Sequence, residues 1–433
     1  MLVQLTLENV LSFDAPATFS MVAGKITKQH VNHVTKACGL KILRGAIVYG
    51  ANAAGKSNLV RAVALFREML LRNDCSVCAG RQFRLNDPVK PAMRFVFDYT
   101  GGERLFHYEV ATNGTKVLRE TLSVREDGGE DVVLFDRTPE SSGLGARLTA
   151  VEWYANRTLK ASALYLPKLI DDGLREHRKS VACSDLLISA YDSVKAVLPA
   201  NSFLLRPYGG VPAWMTGTDF KAFLLRLLST ADVGITGLKW EAIPRKDAEE
   251  LYDAHWDLAW RMAVDPKSSV CLREGTSFFS LRRNSAGVIV GEELRTVHAG
   301  KMFRLEDESE GTIRLVELAP LFYSLDHSEG TYFIDEFDCH LHPFLAKHLL
   351  RTFLELPETK AQLVVTAHDT NLLTQEELWR TDEVWFAEKR PKGSTDLYSV
   401  YQFAPRFDKD LEKGYLQGMY GAIPYFGKEP GRG

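Results

Sequence analysis

The sequence lacks features that would place it in several common classes of protein. No stretch approaches the roughly 18 consecutive apolar residues of a membrane-spanning helix. The chain opens on the alternating segment Leu2–Glu8 rather than on a charged-then-apolar targeting pattern. Its six cysteines are scattered, which fits reduced thiols better than a disulfide framework. We therefore expect a cytoplasmic protein with no membrane association.

The sequence also lacks a second cysteine or histidine pair that would complete a zinc site with Cys75 and Cys78. Ordinary loop thiols are therefore the simpler interpretation of this pair. A sustained heptad pattern is absent too, which argues against a long coiled-coil arm. We found neither tandem repeats nor a low-complexity linker.

The charge balance gives no global attraction to nucleic acid, because the formal net charge is only -3. Any contact with DNA or RNA must come from local basic patches, and such patches are more often a solvated helix face than a phosphate track. The candidate nucleic-acid residues are Arg157, Lys160, Lys168, Arg175, Arg178, Lys179, Arg282 and Arg283.

The most informative segment that is present is GANAAGKS at 50–57, which fits the pattern G-x-x-x-x-G-K-[ST]. It lies between an apolar strand-like run at 46–49 and a segment with helical apolar spacing at 58–71. In this setting the loop amides are expected to surround phosphate oxygens, while Lys56 reaches the terminal phosphates and Ser57 ligates Mg²⁺. The predicted nucleotide-binding residues here are Gly50, Asn52, Gly55, Lys56, Ser57 and Asn58.

A second apolar run, at 331–334, ends in two adjacent acids, Asp335 and Glu336. Such a run is by itself often a strand that leads into a turn, but a preceding P-loop favours a catalytic interpretation. Successive side chains at a strand end point in different directions. Asp335 is therefore predicted to hold the metal, while Glu336 positions the water that attacks the γ-phosphate.

A third buried run, at 362–367, ends at His368. A lone histidine at this position would usually only end a strand. Because this one follows the acidic strand, it is predicted to contact the γ-phosphate and act as a switch residue.

The segment Glu308–Leu315 lies just ahead of the acidic strand and is typical of anion capture at a helix start. Ser309 can cap a helix predicted over 312–323, and Gly311 allows close backbone approach. Ser-x-Gly-Thr alone is weak, because most such segments are plain helix caps. Its position between the P-loop and the acidic strand indicates an ABC-type signature loop that includes Thr312.

Taken together, these motifs resemble those of ABC-clan ATP-binding proteins of the abortive-infection and overcoming-lysogenisation-defect type, which are related to SMC ATPase heads. The resemblance covers most of the chain. Further segments resemble the first strand and turn, the early β-region, the mid-chain helix exit and the C-terminal ending of that family. These segments are 9–13, 83–85 with 95–97, 231–235, and 415–424.

The resemblance implies ATP and Mg²⁺ bound between the copies of a homodimer or higher homo-oligomer. The family's functional positions fall on Lys56, Ser57, Ser309, Gly311, Asp335, Glu336 and His368. In two places the chain departs from the family pattern. Gln82 is the nearest candidate for the glutamine loop but precedes the expected turn, and Cys339 and His340 occupy the segment where dimer contacts would form.

The expected fold is an α/β ABC-type P-loop head, built from a RecA-like lobe, an antiparallel β-subdomain and a mainly helical insertion. The predicted divisions are an N-terminal ATPase half at 1–150, the insertion with returning strands at 151–300, and a C-terminal ATPase half at 301–433. Alternating residues at 90–150 predict the β-subdomain, and the segments 221–228 and 249–262 have helical spacing.

The resemblance implies an ATP-hydrolysing dimeric switch in anti-phage defence that acts through a separate effector, such as a nuclease or toxin. The alternatives are an SMC-like DNA-maintenance ATPase and a scaffold that uses ATP only to assemble; a transporter ATPase fits least. Asp408 and Asp410 imitate a nuclease metal pair. Only a short segment follows His368, however, so surface carboxylates are the simpler interpretation.

Overall fold

The structure is a computed structural model of the whole chain. It describes residues 1–433 except for the following segments: 27–29, 87, 127–128, 140–141, 145–158, 177–182, 199–207, 212–216, 232–233, 255–269, 326–328, 357–358, 375–377, 404–410 and 424–433.

The regular elements are numbered here in chain order. The strands are β1 Leu2–Glu8, β2 Ala17–Ser20, β3 Val34–Ala37, β4 Leu40–Leu43, β5 Gly45–Tyr49, β6 Met93–Gly101, β7 Arg104–Thr112, β8 Val117–Glu126, β9 Val132–Arg137, β10 Ser142–Leu144, β11 Tyr208–Val211, β12 Gly237–Ala242, β13 Val270–Glu274, β14 Ser277–Arg283, β15 Ile289–His298, β16 Lys301–Arg304, β17 Thr331–Ile334, β18 Gln362–Thr366, β19 Val384–Lys389 and β20 Thr395–Ser399. The α-helices are α1 Lys56–Arg72, α2 Tyr165–Leu169, α3 Ser184–Val197, α4 Thr218–Thr230, α5 Arg245–Ala254, α6 Glu310–Leu325, α7 Pro343–Leu354 and α8 Leu411–Leu416.

The chain divides into two compact units. The first contains Met1–Ser202, Ser328–Phe337 and Leu349–Gly433, and the second contains Phe203–His327 and Asp338–His348. Each unit therefore takes its residues from segments that are distant in sequence. The division at 1–150, 151–300 and 301–433 stays a prediction.

A five-stranded sheet in the first unit carries the P-loop, with the order β17-β18-β5-β19-β20. The pairings β17–β18, β18–β5 and β5–β19 are parallel, while β20 is an antiparallel edge strand. Every residue of β5, β17 and β18 is buried, as expected for central parallel strands covered on both faces. The strand that ends near His368 thus lies between the P-loop strand and the acidic strand.

A seven-stranded antiparallel sheet forms the other layer of this unit, with the order β10-β9-β8-β7-β6-β1-β2. Helix α1 packs its apolar face against this sheet through Phe66. The Phe66 ring stacks on Phe97 with 4.1 Å between centroids and meets the edge of Tyr108 at 5.9 Å. The predicted α/β head with its antiparallel β-subdomain is therefore confirmed.

Gln362, the first residue of β18, is a fully buried polar side chain that ties several strands together. Its Nε2 donates to the carbonyl oxygens of Leu2 and Leu43, each at 2.9 Å. Its Oε1 accepts from the Leu2 N–H at 2.6 Å and from Thr331 Oγ1 at 2.7 Å. Both donors and both acceptor positions of the amide are therefore used, which is the condition for burying it at low cost.

The second unit contains a six-stranded antiparallel sheet with the path β11-β13-β14-β15-β12, in which β16 also pairs with β15. Helix α5 packs on this sheet around Ala248, Leu272 and Leu281. Helices α4 and α6 meet through Phe220, whose ring lies edge-on to Tyr323 at 5.5 Å.

The predicted helices at 58–71 and 312–323 are each longer in the structure, as α1 and α6. The predicted segment 221–228 lies inside α4. Helix α5 begins earlier than the predicted 249, and residues 255–262 lie outside the described part of the chain. Strand β12 falls in the region predicted to be mainly helical. The sequence did not predict this strand, because its alternation is short and its pairing partner β15 comes about fifty residues later. Among the described residues, no helix is both long and apolar enough to cross a membrane.

We predict that Gln362→Leu will lower the free energy of unfolding by about 2 to 5 kcal/mol, because the carbonyl groups of Leu2 and Leu43 lose their buried donor. The measurement is chemical denaturation of both proteins. Gln402→Leu is the matched control, since Gln402 is exposed and its replacement should change stability by less than about 0.5 kcal/mol. Equal destabilisation by the two substitutions would contradict this role of Gln362.

Candidate functional site

The P-loop has a backbone shape that requires its glycines. The φ angles of Gly50, Ala53 and Gly55 are 151°, 62° and 108°. A Cβ on Gly50 would overlap the carbonyl oxygen of Ala387, and a Cβ on Gly55 would overlap the Thr395 hydroxyl. Only residues without a side chain fit these two places, and the resulting turn leads directly into the N-terminus of α1. This arrangement is the one that binds phosphate groups through backbone amides.

Lys56 is the first residue of α1, and its side chain folds over the loop. Its Nζ donates to the carbonyl oxygen of Gly50 at 2.6 Å and of Ala51 at 3.2 Å. Only 4% of the residue is exposed, so its charge is held at the loop rather than in bulk solvent. The ammonium therefore lies where terminal phosphates would be bound. Asn52 is exposed at the loop tip, and Ser57 is half-buried in the first turn of α1.

A polar relay holds the second half of the loop in place. Asn58 Nδ2 donates to Ser12 Oγ at 2.8 Å. Ser12 Oγ lies 2.7 Å from Thr395 Oγ1, and Thr395 Oγ1 lies 2.8 Å from the Ala54 carbonyl oxygen. The amide of Asn58, which the sequence predicts to bind nucleotide, thus acts here on the loop through Ser12.

The sequence motifs did not identify Ser12 and Thr395 as functional residues. Ser12 falls within the segment 9–13 that resembles the family's first turn, so a signal was present without a role. Thr395 starts the edge strand β20, and no local pattern marks it.

The two acids after β17 are oriented by one hydroxyl group. Thr366 Oγ1 donates to Asp335 Oδ1 at 2.6 Å and accepts from the Glu336 N–H at 2.8 Å. Glu336 has a φ of 49°, an uncommon left-handed conformation for a residue with a side chain. The turn gives the two acids different surroundings: Asp335 is hydrogen-bonded to the neighbouring strand, while 54% of the Glu336 side chain is exposed.

His368 follows β18 and lies beside Glu336, with 3.8 Å between His368 Nε2 and Glu336 Oε1. The Tyr49 hydroxyl donates to the carbonyl oxygen of Asp369 at 2.9 Å, which joins the ends of β5 and β18. The sheet order therefore brings Lys56, the acid pair and His368 to the carboxyl ends of neighbouring parallel strands, the edge at which α/β sheets bind ligands.

Ser57 and Asp335 are the predicted Mg²⁺ ligands. Within the described part of the chain, no group of three or more His, Cys, Asp or Glu side chains is placed to hold a metal ion. This donor set fits Mg²⁺, which keeps several waters and binds through one or two protein oxygens together with substrate phosphates. Cys75 and Cys78 are buried, and burial raises the pKa of the Cys78 thiol to about 12.

A cavity of about 620 Å³ adjoins the first half of the P-loop. Gly50, Asn52 and His368 line one part of it, and Tyr415 and Ala422 of the C-terminal segment line another. Its size is in the range of ligand pockets.

The predicted signature loop belongs to the second unit. Ser309 precedes α6, and its Oγ accepts from the Thr312 N–H at 3.1 Å and lies 2.9 Å from Thr312 Oγ1. A Cβ on Gly311 would lie 2.9 Å from the carbonyl oxygen of His340, while His340 Nδ1 lies 2.7 Å from Glu310 Oε2. The loop therefore has a capped helix start and is packed against the turn that follows the acidic strand.

Other predicted residues are already engaged within the chain. Gln82 Nε2 donates to the carbonyl oxygen of Asn113 at 3.3 Å. Lys168 pairs with Asp172 and Arg175 pairs with Asp192. Arg283 lies over the ring of Tyr252, whereas Lys160 and Arg282 are exposed.

The predictions at Arg157, Arg178, Lys179, Asp408 and Asp410 lie outside the described residues, as do positions 232–233 and 424 of the family-like segments.

Residues 248–374 match the family model described as "AAA domain, putative AbiEii toxin, Type IV TA system". This segment contains the Ser309 loop, both acids and His368, while the P-loop lies before it. The similarity to this AAA-type ATPase family covers residues 248–374 only. The predicted resemblance to ABC-clan ATPases of the abortive-infection type is confirmed by this match.

The solved structures that are similar at low identity include three SMC head domains. One is described as the SmcHead bound to the C-winged helix domain of ScpA; it is 13% identical, with a TM-score of 0.41 and coverage of 96% of this chain and 99% of that chain. The SMC head domain from Thermotoga maritima is 13% identical, with a TM-score of 0.35 and coverage of 92% and 98%. An Smc head domain with an extended coiled coil, bound to the C-terminal domain of ScpA derived from Pyrococcus furiosus, is 14% identical, with a TM-score of 0.35 and coverage of 96% and 99%.

No curated protein matches the chain. The assignment as an ATPase therefore rests on the family match to the AAA segment and on the P-loop of this chain.

We predict that Thr366→Val will lower kcat for ATP hydrolysis about tenfold, the equivalent of one net hydrogen bond, because both acids lose their common anchor. Steady-state phosphate release measures kcat, and a separate binding titration measures ATP affinity, which should change less. Thr366→Ser keeps the hydroxyl and should restore most of the rate. A Thr366→Val protein with the wild-type kcat would exclude this orienting role.

Proposed function

We propose that this chain is an Mg²⁺-dependent, ATP-hydrolysing dimeric switch of a bacterial anti-phage defence system, and that it controls a separate effector such as a nuclease or toxin. The observation that carries the hydrolytic part is the meeting of Lys56, Asp335, Glu336 and His368 at one edge of a parallel sheet. Support for the defence part comes from the description of the matching family.

Each residue at this edge has a role that follows from its contacts. Lys56 exchanges the carbonyl oxygens of Gly50 and Ala51 for phosphate oxygens, and the loop amides bind the same group. Ser57 and Asp335 would hold Mg²⁺, which would neutralise charge on the phosphates. Glu336 extends from its turn and orients the attacking water. His368 lies close enough to Glu336 to stabilise that orientation.

The Ser309 loop acts in a second copy of the chain. It lies in the second unit, and its capped helix α6 presents backbone amides suited to an anion. In the proposed arrangement two copies meet head to tail, and each contributes Ser309, Gly311 and Thr312 to the nucleotide held by the other. The close approach of Gly311 to His340 links this loop to the chain segment that follows Glu336.

A direct contact with DNA or RNA is the less favoured part of the partner proposal. Lys168 and Arg175 are neutralised by neighbouring carboxylates, which reduces their value as phosphate contacts. The effector is therefore proposed to be a protein. ATP-dependent retention of duplex DNA in a gel-shift experiment would instead favour the SMC-like alternative.

We predict that Glu336→Gln will bind ATP, hydrolyse it more than about a hundredfold more slowly, and accumulate as a nucleotide-bound dimer, because the amide removes the acid–base function while keeping the shape of the side chain. Turnover and size-exclusion chromatography with ATP measure the two effects. Glu103→Gln, an exposed change in the turn between β6 and β7, is the control. Equal turnover by wild type and Glu336→Gln would refute the role of Glu336.

We also predict complementation between two inactive variants. Lys56→Ala should not bind nucleotide, and Ser309→Arg should bind it without hydrolysis. A mixed dimer has one site built from the intact P-loop of one copy and the intact Ser309 loop of the other. Mixing the variants should therefore restore ATPase activity, whereas a Ser309 loop that serves the nucleotide of its own chain would leave the mixture inactive.

A further inference from the structure

The segment 411–423 lines the cavity beside the P-loop and contacts the backbone of the loop directly. The Ala51 N–H, the first amide after Gly50, donates to the carbonyl oxygen of Ala422 at 2.9 Å. In the same stretch, Lys56 Nζ contacts the carbonyl oxygens of Gly50 and Ala51. The orientation of these loop peptides is therefore fixed by Ala422 together with Lys56.

Side chains hold the backbone of Ala422 and of Tyr420 in place. The Tyr415 hydroxyl donates to the Ala422 carbonyl oxygen at 3.2 Å. The Ala422 N–H lies 3.4 Å from Glu388 Oε1, and the Tyr398 hydroxyl donates to the carbonyl oxygen of Tyr420 at 2.8 Å. Ala422 has a φ of 57°, a conformation that non-glycine residues adopt only when their surroundings hold it.

Aromatic packing anchors the same segment to the sheet that carries the P-loop. The Tyr415 ring stacks on Phe386 of β19 with 5.0 Å between centroids and an interplanar angle of 8°. The Tyr420 ring lies 6.0 Å from the same phenylalanine. A Cβ on Gly421 would lie 2.8 Å from the Tyr398 hydroxyl, so a larger residue there would displace the Tyr398 contact. The aromatic rings thus hold the segment 411–423 on β19, and the hydroxyl groups of Tyr415 and Tyr398 hold two of its carbonyl groups.

We infer that Tyr415 and Tyr398 are positioning residues for nucleotide binding. The Tyr415 hydroxyl holds the Ala422 carbonyl against the Ala51 amide of the P-loop, and the Tyr398 hydroxyl holds the carbonyl of Tyr420, two residues earlier in the same segment. This inference rests on the proposed function. A phosphate that draws Lys56 away from the carbonyl oxygens of Gly50 and Ala51 leaves the hydrogen bond from the Ala51 N–H to Ala422 in place, so that this bond still ties the loop to the C-terminal segment. Loss of the tyrosine hydroxyls therefore raises the entropy that the loop gives up on binding.

The test compares Tyr415→Phe, Tyr398→Phe and the double variant with wild type. Each substitution keeps the ring and removes only the hydroxyl. We expect the Kd and KM for ATP to rise about three- to tenfold in the double variant, as for loss of one or two net hydrogen bonds, with kcat nearly unchanged. Hydrogen exchange of the peptide that contains Ala51 should also become faster.

Tyr99→Phe is the matched control, because Tyr99 likewise donates from a buried ring to a backbone carbonyl, that of Ala190, at 3.0 Å. It should lower the Tm to a similar extent without changing ATP affinity. If Tyr415→Phe and Tyr398→Phe also change only the Tm, the positioning role is overturned. If wild type itself binds no ATP, the proposed function fails, and that result is distinct from the first.

Discussion

A phosphate-binding loop must turn its amides inward, and this requirement leaves few side chains with which the loop could stiffen itself. Gly50 and Gly55 have no side chains, and their backbones lie against Ala387 and Thr395. The loop is therefore held from outside. Two of the segments that hold it, β19 and β20, come more than about three hundred residues later in the chain, so the shape of the site depends on the completed fold rather than on the local motif.

The sequence could predict those parts of the site whose signal is local. The P-loop, the acid pair at 335–336 and the strand before His368 each combine a buried run with a distinctive ending, and the structure places all of them on one sheet. The sequence assigned no role to Thr366, Thr395 or Ser12, because a threonine or serine on a strand or turn acquires its role only from a distant partner. The contact of the Asn58 side chain with Ser12 was not foreseen either, and the nucleotide contact of Asn58 stays a prediction.

The carboxylates show how the fold distinguishes chemically identical groups. Asp335 is bound by Thr366, while Glu336 turns toward solvent on a left-handed backbone. Glu120, by contrast, is fully buried, and burial raises the pKa of its carboxyl group although it accepts from two backbone amides and the Tyr108 hydroxyl. A carboxylate that is to meet water and phosphate must remain accessible. Of these three acids, Asp335 and Glu336 lie at the carboxyl ends of the parallel strands, whereas Glu120 does not.

The central place of β5 in its sheet has a consequence for how the molecule comes into being. Both of its neighbours, β18 and β19, are synthesised long after it, so the P-loop strand leaves the ribosome with no edge to pair with. Its five residues, all buried in the finished fold, cannot pair on either side until β18 and β19 have been synthesised. A chain that stops before β19 therefore lacks both neighbours or one neighbour of the P-loop strand, and the predicted nucleotide site cannot take its final shape.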